Sequence, residues 1–186
     1  MAEASVNDPP ERLAPFDHTV SLRDGAVVRV RPIRADDAPR LVALYDHLSN
    51  DTRYHRFFSV ARRLPIDWAR FLAGVDYRTR LALVAEAPGD PETLIAVARY
   101  EPGPRPDTVE VAFVVQDAWQ GHGLGTVLFR DLLAAAALNG RTHFSAWVLT
   151  DNRRMLDLIA RLGVITRRAV DGSVLELDFT ARPSAA

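Results

Sequence analysis

The spacing of hydrophobic and polar positions changes several times along this chain, and each change marks an element. Over residues 26–34, Val27, Val28, Val30 and Ile33 alternate with Arg29, Arg31 and Arg34, which predicts a strand after the Asp24-Gly25 turn. The period then becomes helical. Asp36 can cap a helix whose apolar side is Ala38, Leu41, Val42, Tyr45 and Leu48, and Ser49 can open a second through Tyr54, Phe57 and Phe58. A third helix is expected over residues 66–74. Strand patterns return at residues 81–87, 94–101 and 108–116, separated by the Pro88-Gly89-Asp90-Pro91 turn and a loop rich in Pro and Gly, an antiparallel meander. The second half alternates helix 123–138, strand 142–148, helix 152–162 and a strand pair at 164–168 and 174–179. Such an order is α+β with one internal βαβ crossover. Residues 1–17 read as a disordered lead-in, 18–180 as one domain and 181–186 as a frayed tail.

Composition narrows the chemistry. At 186 residues and 48% hydrophobic content the chain can fill one core, and a net charge of -1 gives no electrostatic footprint for nucleic acid or a membrane surface. The first residues lack the basic start and apolar stretch of a signal peptide, so a cytoplasmic protein is expected. With no cysteine there is no thiol nucleophile and no thiolate metal site, and the histidines show no metal-ligand spacing, so no metal is expected. All 23 cationic side chains are Arg, which removes Schiff-base chemistry and the lysine of a phosphate-binding P-loop.

Residues 109–126, VEVAFVVQDAWQGHGLGT, carry the most chemistry. A buried strand runs through a short turn into Gly121, Gly123 and Gly125, where a helix begins. Without side chains there, first-turn N–H groups can approach an anion closely and the helix dipole adds about 0.3–1 kcal/mol, a cradle for pyrophosphate. Tight turns and helix packing also use glycine, so the cluster alone leaves both readings open. A dinucleotide-binding fingerprint does not fit, because it opens a repeated parallel βαβ arrangement whereas this motif follows strands joined by short turns.

Gln120-x-x-Gly123-x-Gly125 resembles the Q/R-x-x-G-x-G/A signature of the GNAT acetyltransferases, and Asn152, Met155, Leu158 and Gly163 resemble that family's later helix. The resemblance implies a GNAT fold: a mixed, mostly antiparallel central sheet with a βαβ acetyl-CoA-binding core and flanking helices. It implies acetyl-CoA as co-substrate, with pyrophosphate on the amides of Gly121, His122, Gly123, Leu124, Gly125 and Thr126 after Gln120. Pantetheine would lie along the splayed strand at Phe113, Val114 and Val115. Asn152 would bind the pantetheine arm or, on the residues alone, simply cap a helix. Arg153 and Arg154 could reach the nucleotide phosphates, or form a solvated face.

Transfer from a thioester to an amine needs a neutral nucleophile, hence a base. Glu110 is the one carboxylate in the apolar run 109–115, and burial would raise its pKa toward the working range. Strand alternation groups it with Ala112 and Val114, facing either solvent or the site. The resemblance implies a catalytic glutamate at this position, as in bacterial protein lysine acetyltransferases, and a backbone N–H, that of Val114, as oxyanion donor. Many relatives carry a tyrosine seven residues after the asparagine as acid for the leaving thiolate; here Ile159 stands there, and no general acid is assigned. The segments VRVRPIRADDAPRL, SNDTRYHRFF and NRRMLDLIARLG resemble the catalytic domain of those protein acetyltransferases, whose targets include acyl-CoA synthetases. This implies an acceptor surface at Tyr54, His55 and Arg56 and a protein partner with an acceptor lysine. Phe57 and Phe58 also suit core packing. A small-amine acetyltransferase and a non-catalytic acetyl-CoA sensor are the alternatives.

Overall fold

The computed structural model describes residues 8–59 and 61–182. Its frame is a sheet of β1 (His18–Ser21), β2 (Val27–Pro32), β3 (Leu81–Ala87), β4 (Asp90–Pro102), β5 (Thr108–Val115), β6 (His143–Leu149), β7 (Gly163–Asp171) and β8 (Val174–Ala181). The spatial order is β1-β2-β3-β4-β5-β6-β8-β7. Among the described residues only β5 and β6 pair in parallel, as a crossover through α4 (Leu124–Leu138) requires. The remaining helices are α1 (Ala38–Asp46), α2 (Asn50–Phe57), α3 (Ile66–Ala73) and α5 (Arg153–Leu162). This is the mixed α+β architecture that the sequence resemblance implies.

Side-chain alternation tells which helices cover which face. Tyr100 in β4 meets Asn139 at the end of α4, Asn139 Nδ2 donating to its hydroxyl at 2.7 Å, whereas the neighbouring Arg99 donates to the Leu72 carbonyl of α3 at 3.2 Å. Adjacent strand residues point to opposite faces, so α4 and α3 cover opposite sides of the sheet. Glu110 pairs in register with Glu101, on the Arg99 face, so its carboxylate looks toward α3 and α2. Phe113 points the other way, its ring 5.7 Å from that of Phe129 in α4.

Local chemistry sets the helix starts. Ser49 caps α2 by accepting from the Thr52 amide at 3.2 Å, and Asn152 caps α5 by accepting from Met155 at 3.2 Å. Arg31, 1% exposed, makes paired bonds to Asp37 at 2.7 and 2.8 Å and one to Glu86, tying β2 and β3 to the entry of α1. Removing one partner of such a buried cluster typically costs about 3–5 kcal/mol.

Two expectations about the ends change, and one strand is added. The disordered lead-in over 1–17 does not hold for its described part: Glu11–Phe16 form 3-10 turns, with Leu13 at 0% and Phe16 at 8% exposure, because two apolar anchors outweigh the Pro-rich composition. The short, largely polar β1 follows at the sheet edge, where no alternation announced it. At the other end Ala181 closes β8, and Arg182 donates to the Ala160 and Gly163 carbonyls at 3.1 and 3.2 Å instead of fraying. Residues 1–7 and 183–186 lie outside the described residues.

Candidate active site

The parallel ladder between β5 and β6 covers only Thr108–His143, Val109–Phe144 and Glu110–Ser145. Both strands continue past it, β5 to Val115 and β6 to Leu149, so they part beyond Glu110 and leave a V-shaped slot. A cavity of about 970 Å³ follows that slot from Glu110 and Arg56 to the start of α4.

At the α4 end, Gly121 and Gly123 have φ of 84° and 97°, the left-handed region that glycine enters without strain. A Cβ at Gly123 would lie 3.7 Å from Arg23 Nε, and one at Gly125 would lie 3.5 Å from Phe113 Cε2. Gly123 is thus needed for backbone shape, whereas a Cβ at Gly125 would make only an ordinary contact with β5. In the first turn of α4 the Thr126 and Val127 amides are taken by the Gly123 carbonyl at 3.0 and 3.2 Å, so the Leu124 and Gly125 amides are the ones left to meet an anion. Arg23, Arg154 and Arg161 reach this end through contacts with His122, Gln120 and Thr126, and Arg153 lines the same cavity. Positive-φ glycines, free first-turn amides and an arginine rim fit the phosphates of acetyl-CoA.

Several expected contacts here are more indirect. Gln120 uses its side chain as a bracket: Nε2 donates to the Val115 carbonyl at 3.0 Å and to Thr52 at 3.1 Å, while Oε1 accepts from Arg154 at 2.6 Å. The His122 ring turns to Asp24, and Leu124 is 0% exposed, so their side chains do not line the cavity and only their backbones face this turn. Thr126 lines the cavity, although its N–H donates to the Gly123 carbonyl at 3.0 Å. Asn152 serves as the cap and also lines the slot, leaving its Nδ2 for a ligand, so the two readings of it are compatible. Arg23 and Arg161 escaped the sequence reading because nothing in their local pattern sets them apart.

The expected donor N–H of Val114 must be corrected. Gly103 N donates to the Thr108 carbonyl at 3.0 Å and Gln116 N to the Ile95 carbonyl at 2.8 Å, at either end of the unbroken β4–β5 register. In an antiparallel pair hydrogen-bonded positions recur every second residue, so the amides of Glu110, Ala112 and Val114 point to β4. Those of Phe113 and Val115 point into the slot, where β6 has moved away. Val114 offers the cavity its side chain only. Phe113, nearer Glu110, carries the candidate donor for a thioester oxygen.

Glu110 is half-buried at the point of the V. Burial pushes its pKa up; the Arg56 charge pulls it down and the Glu101 charge pushes it further up, with no hydrogen bond among the described residues to hold the anion. A carboxylate pushed up in this way takes up a proton more readily than a free one, as a proton acceptor must. Arg56 stands over the Phe57 ring at 4.8 Å with its Nε buried and without a partner among the described residues. Burial, aided by Arg99, lowers its pKa to about 10 against the pull of Glu110 and Glu101, so it remains a cation beside the base. Ile159 is 0% exposed in the core, so its position supplies no acid.

Helix α2 forms the wall opposite α5. Asp117 fixes its first turn, accepting from Ser49 N at 2.9 Å, Ser49 Oγ at 2.6 Å and Thr52 Oγ1 at 2.7 Å. Burial opposes the Asp117 charge, but these bonds win and hold its pKa low. His55 reaches across the slot, its Nε2 3.2 Å from Asp151 Oδ1 and its Nδ1 2.9 Å from the Asp51 carbonyl. Burial works against the imidazolium, yet the Asp51 and Asp151 contacts raise the His55 pKa. His55 and Arg56 line the cavity; Tyr54, at 45% exposure, lies outside the lining and is not brought to the site. Phe58 also lines the cavity and is 41% exposed, in place of core packing.

A sheet splayed beside a proton acceptor, with an anion cradle at the far end of the gap, defines an enzyme that uses an acyl-CoA. The chain belongs to the acetyltransferase (GNAT) family, whose family model matches residues 41–164. It is similar to the acetyltransferase PA5475 of Pseudomonas aeruginosa, 33% identical over 159 residues, 84% of this chain and 86% of that protein. It is 34% identical over 168 residues to the acetyltransferase Pat of Mycolicibacterium smegmatis, covering 89% of this chain and half, 50%, of Pat. The crystal structure of the GNAT domain of S. lividans PAT superposes with a TM-score of 0.80 at 35% identity, covering 93% of this chain and 99% of that one. The protein is therefore an acetyl-CoA-dependent acetyltransferase.

Proposed function

We propose that the acceptor is a lysine side chain of a protein, such as an acyl-CoA synthetase, and that transfer is direct, with Glu110 as general base. The observation that carries this reading is the half-buried Glu110 carboxylate at the point where β5 and β6 part. Its face belongs to α2 and α3, so an amine arriving from that side meets the base while acetyl-CoA occupies the slot from the α4 side. Bound there, acetyl-CoA supplies an activated thioester carbonyl. Glu110 takes the ammonium proton directly or through a water, the freed amine attacks the thioester carbon, and the C–S bond breaks to release CoA as a thiolate that takes its proton from solvent; the Phe113 amide faces the carbonyl oxygen, and Asn152 and the arginine rim hold the rest of the co-substrate. No cysteine exists to carry the acetyl group, which favours one-step transfer. The segments VRVRPIRADDAPRL, SNDTRYHRFF and NRRMLDLIARLG, which resemble protein lysine acetyltransferases, favour a protein acceptor, and the cytoplasm, where acetyl-CoA and synthetases meet, is the proposed compartment.

Labelled acetyl-CoA offered with purified acyl-CoA synthetase, and separately with a polyamine, an aminoglycoside and free amino acids, tests the acceptor. The reading expects label on a synthetase lysine at a rate well above that for any small amine. Preferential labelling of a small amine would replace it.

A further inference from the structure

Helix α3 exposes more apolar surface than a simple core helix would. It turns Ala69 at 0% and Ala73 at 1% exposure inward together with Leu72, and leaves three large apolar residues outward: Ile66 at 41%, Trp68 at 49% and Phe71 at 47%. Trp68 and Phe71 stack on one another in the open, centroids 5.0 Å apart at 17°. Leaving this surface in water forgoes the burial that such side chains normally gain, the mark of an interaction face.

The patch is joined to the active site. The Arg80 guanidinium covers the Phe71 ring at 3.9 Å, donates to the Phe71 carbonyl at 2.7 Å and pairs with Glu101 at 2.8 Å. Glu101 is the register partner of Glu110. The rim is basic: Arg62 and Arg63, exposed in the segment entering α3, make no ion pair among the described residues, and Arg70 is offset only by Asp67 at 2.9 Å. A small amine inside the slot cannot touch α3.

We propose that α3 is a docking surface for the protein acceptor, which lays an apolar side chain flanked by acidic residues against Trp68 and Phe71 while its lysine enters beside Glu110. This rests on the protein-lysine reading above and names how that acceptor is chosen. The charge of the rim favours an acidic partner over a second copy of this chain, whose matching face is itself basic.

The test compares wild type, Trp68→Ser, Trp68→Phe and the double variant Arg62→Glu, Arg63→Glu on two acceptors: purified folded acyl-CoA synthetase and a peptide of about fifteen residues around its acetylated lysine. Exposed aromatic anchors of this kind dominate interfaces, so KM for the folded protein should rise about tenfold or more in Trp68→Ser with kcat little changed. Trp68→Phe should recover most of it, the double variant should raise KM and flatten its salt dependence, and peptide kinetics and acetyl-CoA affinity should stay at wild-type values. Equal losses on protein and peptide, or unchanged KM on the protein, overturn the docking surface while leaving the protein-lysine reading intact. Sedimentation in which Trp68→Ser dissociates a dimer without moving the protein KM assigns the face to a second copy and overturns it too. If wild type labels neither acceptor, the protein-lysine reading falls and takes the docking surface with it.

Discussion

Gly123, at φ 97°, holds the turn that presents the α4 amides, and a side chain there must either bear the strain or move the backbone. A β-branched residue in this conformation costs about 1–3 kcal/mol. Gly123→Val should therefore weaken acetyl-CoA binding about tenfold or more by calorimetry, with the far-UV spectrum unchanged; Gly125→Ala, whose new Cβ meets Phe113 at an ordinary 3.5 Å, should bind almost as wild type. Equal affinity in Gly123→Val would remove the cradle from the account. The glycine pattern was legible because it depends on neighbours in sequence. The direction of an amide was not: Val114 and Phe113 look alike in the strand, and only the register with β4 decides which one faces the slot. Nor could spacing bring Arg23 to the cradle, since its contact with the turn, donating to the His122 carbonyl at 3.1 Å, joins distant parts of the chain.

Among the elements, α2 depends most on something outside itself. It is a short helix, and its first turn hangs on the Asp117 carboxylate through Ser49 and Thr52. Asp117→Ala leaves those groups to water at a cost of about 1–3 kcal/mol, felt locally. Amide exchange should quicken across α2 and the KM of a protein acceptor should rise several-fold, while the sheet keeps its protection. Uniform loss of protection would show that Asp117 supports the whole fold. Most elements could be read from period and punctuation, α2 included, through Ser49. The misses have physical causes: β1 is a short edge strand with little apolar content, and the turns at Glu11–Phe16 are ordered by tertiary burial of Leu13 and Phe16. A helix such as α3, which turns Ala69, Leu72 and Ala73 inward yet also exposes Ile66, Trp68 and Phe71, reads as ordinary until its exposures are known.

For the molecule as a whole, function follows from one departure in an otherwise continuous sheet. The strand order and the βαβ core were legible because turn residues and period changes separate them cleanly, and the family resemblance rested on the same motif that the structure turns into a cradle. What could not be read was how the two halves meet, since the proposed acceptor face of α2 and α3 and the start of α4 come together only where β5 leaves β6 at Glu110. Burial there raises the Glu110 pKa, so its charge is a burden on folding: any stability it contributes is present at acid pH and lost as pH rises through the folded pKa. Glu110→Gln should accordingly be no less stable than wild type at neutral pH and should bind acetyl-CoA normally. Its catalytic effect should be large, because a positioned base typically contributes about 10²–10⁴-fold. The most direct measurement is the pH profile of turnover for Glu110→Gln beside wild type with a single lysine acceptor. Wild type should lose activity at acid pH as Glu110 takes up its proton, whereas the variant should start about 10²–10⁴-fold lower at neutral pH and recover steadily as alkali deprotonates the amine itself. Two parallel profiles of similar height would contradict a general-base role for Glu110, and with it the mechanism.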